Sequence, residues 1–126
     1  MLATVLACAP RHALAGDEWI LEARDAHKRG DKARLSTLRA AATTAGHPLA
    51  GWVEYWELNN RLNTAQVSEV DAFFARWSGT YVEDRLRNDW LLELGRRRDW
   101  SGVLREHPRY RMNDDREVAC YALLAE

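Results

Sequence analysis

Two short stretches of the chain are built in the same way: Arg29-Gly30-Asp31-Lys32 and Arg97-Arg98-Asp99-Trp100. In each stretch, basic residues end one predicted helix, a tight turn follows, and an aspartate caps the start of the next helix. Asp31 and Asp99 are 68 residues apart, which is twice the ~34-residue period of helix-turn-helix solenoids. This spacing predicts paired helices in which Asp31 and Asp99 act as structural caps.

The rest of the chain after Gly16 is also predicted to be helical. No segment alternates polar and apolar residues as a strand does, and only seven glycines and three prolines interrupt the chain. The predicted helices cover 17–29, 31–45, 47–62, 65–77 and 81–97, followed by a short helix after 99 and a seventh from about 114. The consensus residues of tetratricopeptide repeats are absent. The period alone therefore predicts an all-α fold, a right-handed superhelix (α-solenoid) of antiparallel helix pairs.

Residues 1–15 have features of an export signal. Leu2 to Ala9 is apolar, and Ala13-Leu14-Ala15 is a small-x-small site suited to signal peptidase. Because the basic leader is missing, we interpret this segment as the remnant of a signal peptide cut after Ala15, with residues 16–126 forming one helical-repeat domain. Val5-Leu6-Ala7-Cys8 also resembles a lipobox, which would make Cys8 a lipid anchor. A frayed apolar first helix is the remaining alternative.

The charge pattern argues against a nucleic-acid partner. The net charge is -1, so the chain as a whole offers no field that attracts nucleic acid or an anionic bilayer. Five arginines and five acidic residues lie between Tyr81 and Asp99. Among them, Arg85 with Asp89 and Glu93 with Arg97 have the spacing of i,i+4 ion pairs. Since no apolar run approaches the ~20 residues that cross a bilayer, no transmembrane segment is predicted either.

Motifs of metal, cofactor and nucleophile sites are missing. The four histidines have no HxxxH or HExxH spacing, and no glycine-rich phosphate motif occurs, so neither a metal nor a cofactor is expected. Cys120 lies in an apolar run and is predicted to be a small core residue rather than a nucleophile. The carboxylate pairs Glu54–Glu57 and Glu69–Asp71 are predicted to lie on solvated helix faces rather than to act in acid–base catalysis.

The six tryptophans are the side chains best suited to contact a ligand, because each is large, flat and amphipathic. Most fall on apolar helical stripes or at helix junctions, which favours packing between helices. Trp52 and Trp56 lie one turn apart on the third predicted helix. They are the candidate platform for a sugar ring.

Three segments together resemble, in order and spacing, the N-terminal superhelical region of soluble lytic murein transglycosylases. They are HPLAGWVEYW (His47 to Trp56), RLRNDWLLEL with RRDW (Arg85 to Leu94 and Arg97 to Trp100), and EVACY (Glu117 to Tyr121). The resemblance covers nearly all of the chain after Gly16 and concerns structural residues.

The resemblance implies a bacterial periplasmic protein that acts on peptidoglycan. In that family a superhelix of paired helices closes into a ring with a C-terminal lysozyme-like domain. A glutamic acid of that domain protonates the glycosidic oxygen between N-acetylmuramic acid and N-acetylglucosamine, and the sugar's own 6-hydroxyl attacks to give a 1,6-anhydro end. The Glu-Ser, Gly-x-Met-Gln and Ala-Tyr-Asn-Ala-Gly segments that carry this chemistry do not occur here, so no catalytic residue is assigned.

The implied partners are glycan strands, through the parent enzyme, and cell-wall proteins. The location would be the periplasm, or the outer membrane if Cys8 is lipidated. Because the chain stops inside a predicted apolar helix at Glu126, we expect a scaffold domain truncated at its C-terminus. Two alternatives remain open: a free-standing helical-repeat adaptor that binds a protein or peptide, and a complete small enzyme with an unrecognised site.

Overall fold

The computed structural model describes residues 17–126, which form seven α-helices and two short 3-10 turns. No β-strand occurs within this range, and the all-α prediction is confirmed. The helices are α1 (Glu18–Arg29), α2 (Lys32–Ala45), α3 (Ala50–Asn60), α4 (Val67–Arg76), α5 (Tyr81–Arg96), α6 (Trp100–Glu106) and α7 (Arg116–Ala125), and the 3-10 turns are Leu62–Thr64 and His107–Arg109. The predicted signal remnant and the predicted lipid anchor Cys8 lie outside the described residues.

The two turns that were compared in the sequence have the same backbone geometry. Gly30 and Arg98 both adopt left-handed conformations, with φ of 68° and 57°. In each turn the following aspartate donates its amide hydrogen to a carbonyl five residues earlier, at 2.9 Å in both. The carboxylates of Asp31 and Asp99 then accept a hydrogen bond from the backbone amide three residues further on, at 3.1 and 3.0 Å. Both aspartates therefore cap the helices that follow them.

Helix contacts place α3 and α5 at the centre of the molecule. α3 packs against α1, α2 and α5, while α5 packs against α3, α6 and α7. The apolar core divides into two clusters, one built mainly from α1, α2 and α3 and the other mainly from α3, α4, α5 and α6. Trp56 and Trp77 contact both clusters. Each fully buried aliphatic or aromatic side chain contributes roughly 1.5–3 kcal/mol, so the two clusters hold the helix array together.

Buried positions of α1–α3 recur 68 residues later in α5–α7. Nine pairs of positions related by this offset are buried in both segments: Trp19 and Arg87, Ile20 and Asn88, Ala23 and Leu91, Ala26 and Leu94, Leu35 and Val103, Leu38 and Glu106, Ala42 and Tyr110, Ala50 and Val118, and Glu54 and Ala122. The offset is the one that separates Asp31 from Asp99. The two segments therefore share inward-facing positions as well as a turn.

Candidate functional site

Four aromatic side chains from α1, α3 and α5 form a continuous, partly exposed row, called here the aromatic strip: His27, Trp56, Trp52 and Tyr81. The ring centroids of Trp52 and Trp56 are 5.9 Å apart. Tyr81 lies 5.7 Å beyond Trp52, and His27 stacks on Trp56 at 6.4 Å. Tyr81 is exposed and the other three are half-buried. The strip therefore leaves aromatic surface accessible across three helices.

Three polar side chains beside the strip form a hydrogen-bonded set, called here the polar row: Tyr55, Asn59 and Asp89. One oxygen of the Asp89 carboxylate accepts the Tyr55 hydroxyl hydrogen at 2.5 Å and the Asn59 amide hydrogen at 2.9 Å. The side-chain oxygen of Asn59 is bonded to Nε2 of His27 at 2.8 Å. The Tyr55 ring also meets Trp52 edge-on, at 5.9 Å. The polar row thus joins α3 to α5 and, through His27, to α1.

Burial is the main influence on the protonation of Tyr55. Burial raises the pKa of the Tyr55 hydroxyl well above its usual range, and the neighbouring Asp89 carboxylate raises it further. Tyr55 therefore remains a hydrogen-bond donor to Asp89 at neutral pH. The second oxygen of Asp89 has only a long 3.5 Å bond from Asn88 within residues 17–126. This half-buried acceptor beside aromatic rings is available to a ligand hydroxyl.

The spacing along α3 explains why the strip and the row lie side by side. Trp52, Tyr55, Trp56 and Asn59 occupy positions i, i+3, i+4 and i+7, which share one side of a helix. α1 and α5 both pack against α3. Aromatic surface with a few directed polar groups is the usual composition of a small-molecule or sugar site.

The sequence predicted only part of this site. Trp52 and Trp56, predicted as a sugar platform, are brought together at the centre of the strip. The predicted Arg85–Asp89 ion pair is wrong, because Asp89 is engaged by Tyr55 and Asn59 of α3 instead. The i,i+4 spacing of Tyr55 and Asn59 was the available signal, but it does not reveal which helix lies opposite.

The other side of α3 carries a cluster of ion pairs. Glu54 and Glu57, predicted to be solvated, are only 6% and 8% exposed, so that prediction was wrong. Arg61 bonds Glu57 at 2.7 and 3.3 Å, and Arg76 bonds Glu54. Arg39 lies 3.8 Å from both carboxylates. Helices on this side supply cations, which is why the two carboxylates tolerate burial.

The cluster borders a cavity of about 270 Å³. The Trp77 indole donates to the remaining oxygen of Glu54 at 2.6 Å, so each carboxylate oxygen of Glu54 and Glu57 has a partner. Glu69 accepts from Arg61 at 2.6 Å, and a backbone hydrogen bond from Gln66 together with Arg61 lowers the pKa of Glu69. Because three arginines face three glutamates, the cluster is balanced internally and serves to join α2, α3 and α4.

Three further predictions concern α4, α5 and α7. Asp71 is exposed, as predicted. The Glu93–Arg97 ion pair is confirmed at 3.0 Å. Cys120, predicted to be buried, is exposed, because α7 buries Val118 and Ala122 on its inner side and residue 120 lies on the opposite side.

The remaining tests of the site concern metals, membranes and known proteins. Within residues 17–126, no group of three or more His, Cys, Asp or Glu side chains is arranged to hold a metal ion. No helix in that range combines the length and apolar character needed to span a membrane. Comparison of the chain with protein-family models, curated proteins and solved structures finds no match. The aromatic strip and the polar row are therefore the features of residues 17–126 that bear on function.

Proposed function

We propose that the chain is the non-catalytic superhelical part of a periplasmic lytic transglycosylase, the class of enzyme that cleaves peptidoglycan between N-acetylmuramic acid and N-acetylglucosamine to give 1,6-anhydro products. In this proposal a separate lysozyme-like domain of the parent enzyme supplies the catalytic glutamic acid. The present chain holds and guides the glycan strand. The observation that carries the proposal is the aromatic strip with its polar row.

The chemistry of the strip supports a glycan ligand. Tyr81, Trp52 and Trp56 follow one another at 5.7 and 5.9 Å, so consecutive aromatic surfaces are available to a chain of sugar rings. The second oxygen of Asp89, which has only the long bond from Asn88 among residues 17–126, can accept from a sugar hydroxyl, and the exposed Arg85 on the same helix can donate to a carbonyl or hydroxyl oxygen. Apolar ring contact together with a few directed hydrogen bonds is what a polyhydroxylated ring requires.

The order of helix contacts supports the proposed superhelix of helix pairs. α1 contacts α3, α3 contacts α5, and α5 contacts α7, while α2 also packs on α3 and α6 on α7. A stack of helix pairs with a period of ~34 residues produces this order. The recurrence of buried positions at an offset of 68 residues supports the same arrangement.

Binding of purified, uncrosslinked glycan strands to the full chain tests the proposal. Replacing both tryptophans, Trp52→Ala with Trp56→Ala, is expected to weaken binding by about tenfold or more, because roughly 1.4 kcal/mol of ring contact corresponds to a factor of ten. Asp89→Asn should weaken binding less, since its one amide oxygen stays bonded to Tyr55 and Asn59 and the ligand-facing acceptor becomes an NH2 donor, while the aromatic rings remain. The same incubations are expected to release no anhydro-muropeptides.

Trp100→Ala is the matched control, because Trp100 is also half-buried and also contacts a tyrosine ring, Tyr121, at 6.2 Å. It lies outside the strip and should leave glycan affinity unchanged. Circular dichroism of each variant separates lost binding from lost folding. Glycan affinity that survives the double tryptophan replacement would remove the strip as the binding surface.

A small apolar pocket favours the adaptor as a second candidate function. It has a volume of about 140 Å³ and is lined chiefly by Pro48, Leu49, Trp52, Trp77 and Tyr81. A pocket of this kind suits one apolar side chain of a peptide. Leu49→Lys separates the two candidates, because Leu49 lines the pocket and is no part of the strip. Loss of a protein partner with unchanged glycan binding would favour the adaptor.

A further inference from the structure

The outer face of α7 is apolar and uncovered among residues 17–126. This face, called the α7 face, consists of Arg116, Ala119, Cys120, Leu123 and Leu124, all of which are exposed. Leu123 and Leu124 are 71% and 67% exposed, more than any other large apolar side chain described. Two adjacent leucines that are exposed to water forgo the favourable free energy of burial. This face is therefore suited to contact an apolar surface of a partner.

The corresponding positions of α3 are covered by a helix. An offset of 68 residues relates Leu123 to Tyr55 and Leu124 to Trp56. Tyr55 is buried and bonds Asp89 of α5, while Trp56 is half-buried. A helix therefore occupies this position beside α3, and another helix is the shape expected to fit beside α7.

The shape of the α7 face favours close approach of two helices. Ala119 and Cys120 are small and lie at its middle, so two helix backbones can come close there. Leu124 also borders a groove of about 500 Å³ whose lining includes Gly95, Arg96, Arg98, Trp100 and Tyr121. The leucines of one helix can thus pack beside the small residues of another and at the edge of this groove.

The charges of α7 select its orientation. Arg116 begins the helix and has no carboxylate partner within residues 17–126, and Glu126 follows the last helical residue. Two α7 helices that run antiparallel and cross near Cys120 bring each Arg116 towards the Glu126 of the other. A parallel arrangement would instead place like charges side by side. We propose that a second copy of this chain docks on the α7 face, with the two α7 helices antiparallel about a two-fold axis near Cys120.

The expected association is weak, because one short helix face per copy is smaller than the ~800 Å² per partner of a typical stable interface. Sedimentation equilibrium of the full chain measures it directly. The average mass should rise from the 14.5 kDa monomer towards a dimer between about 10 µM and about 1 mM, the range of Kd values expected for a small interface. A mass that stays monomeric over this range would overturn the proposal, and growth beyond a dimer would overturn the two-fold arrangement.

Substitutions test whether the α7 face is responsible. Leu123→Lys with Leu124→Lys should abolish the rise in mass, and because both leucines are largely exposed the fold should survive. The matched control is Leu21→Lys with Leu104→Lys, two exposed leucines on α1 and α6, which should leave the association unchanged. If the control abolishes association and the α7 variant does not, another surface mediates it and the proposal fails.

Crosslinking and charge reversal test the antiparallel geometry. In a Cys8→Ala background, diamide should oxidise two Cys120 thiols of one dimer to a disulfide, taking up the two electrons and two protons that the thiols release. The Leu123→Lys, Leu124→Lys chain should crosslink at least tenfold more slowly.

Arg116→Glu and Glu126→Arg should each weaken the dimer, and combining them should restore it. The arrangement is contradicted if the lysine substitutions do not slow crosslinking. It is also contradicted if the combined charge reversal does not restore the dimer.

Discussion

The segments α1–α3 and α5–α7 place buried residues at equivalent positions but fill them with different chemistry. In the first segment, Trp19 and Leu38 belong to one apolar cluster. Their counterparts 68 residues later are Arg87 and Glu106, an ion pair at 3.3 Å whose residues are only 3% and 1% exposed. The backbone arrangement therefore determines which positions face inward, while the side chains there can be an apolar contact or a pair of charges.

The buried ion pair depends on contacts that the first segment does not need. Arg87 also bonds Glu83 at 3.2 Å, and its guanidinium lies 4.1 Å from the centre of the Phe74 ring. Removing two charges from water costs several kcal/mol per ion, which their attraction offsets only when geometry and hydrogen bonds are good. The second segment should thus be more sensitive to the loss of one partner than the first.

The largest expected effect breaks this ion pair. Glu106→Ala should lower the free energy of unfolding by up to about 3–5 kcal/mol, because it removes one of the two carboxylates that bond the buried Arg87. Urea denaturation followed by circular dichroism measures the change. Glu22→Ala, which removes an exposed carboxylate paired with Arg34, should cost less than about 1 kcal/mol.

A second test replaces the buried ion pair of the second segment by apolar residues like those of the first segment. Arg87→Met combined with Glu106→Leu should recover most of the stability lost in Glu106→Ala, since buried ion pairs are often replaced by apolar residues at no net cost. If the double variant is as unstable as Glu106→Ala, apolar side chains do not pack at these two positions of the second segment as they do in the first.

Substitutions in the two turns should change the free energy of unfolding by a smaller amount. The change in one turn should be opposite in sign to the change in the other. Arg98 adopts φ of 57° where the first turn has Gly30 at 68°, and a left-handed conformation costs a non-glycine residue roughly 1–2 kcal/mol. Arg98→Gly should therefore stabilise the fold by about 1 kcal/mol, and Gly30→Arg should destabilise it by a similar amount. Thermal unfolding of both variants checks this, and equal shifts of the same sign would contradict it.

The smallest effect depends on pH and comes from a buried tyrosine of the second segment. Tyr110, whose counterpart is Ala42, donates to Asn88 at 2.6 Å or Asp114 at 2.9 Å. Burial, and then the hydrogen bond to Asp114, raise the pKa of the Tyr110 hydroxyl from 10.0 to about 12. Because the fold favours the neutral phenol, its contribution is complete below pH 10 and is lost as pH rises towards 12.

Denaturation midpoints measured across that range test the effect. The loss of stability between pH 10 and 12 should be smaller in Tyr110→Phe than in the unaltered chain. Tyr81→Phe, which removes a tyrosine hydroxyl at an exposed position, is the matched control. A steeper loss in Tyr110→Phe would contradict the assigned direction.

The helix pattern could be predicted largely from local signals. Asp31, Asp99 and Asp115 mark helix starts because their carboxylates can bond nearby backbone amides, and Gly30 marks an end because it adopts the left-handed conformation. The third helix begins at Ala50 rather than at His47–Pro48, since Nδ1 of His47 accepts the Leu49 amide at 3.0 Å and forms a turn there.

The site was less predictable because its partners come from distant parts of the chain. Glu54 looks solvated in the sequence because Arg76, which neutralises it, is 22 residues away. Asp89 has a nearby arginine on its own helix, but its hydrogen-bond donors come from α3, at least 30 residues earlier. Cys120 lies in an apolar run, yet only one side of its helix is covered. Periodicity identifies apolar faces, but it does not say which faces have neighbours.

The Arg87–Glu106 ion pair also bears on how the chain avoids misassembly. Segments with equivalent inward-facing positions could exchange partners during folding, a frequent failure of repeated structures. If α1 paired with α6, Trp19 would face Glu106, and if α5 paired with α2, Arg87 would face Leu38. Each wrong pairing deprives a buried charge of one of its ion-pair partners, at a cost of up to several kcal/mol. The ion pair therefore makes the correct pairing of helices more selective, both within one chain and between neighbouring copies.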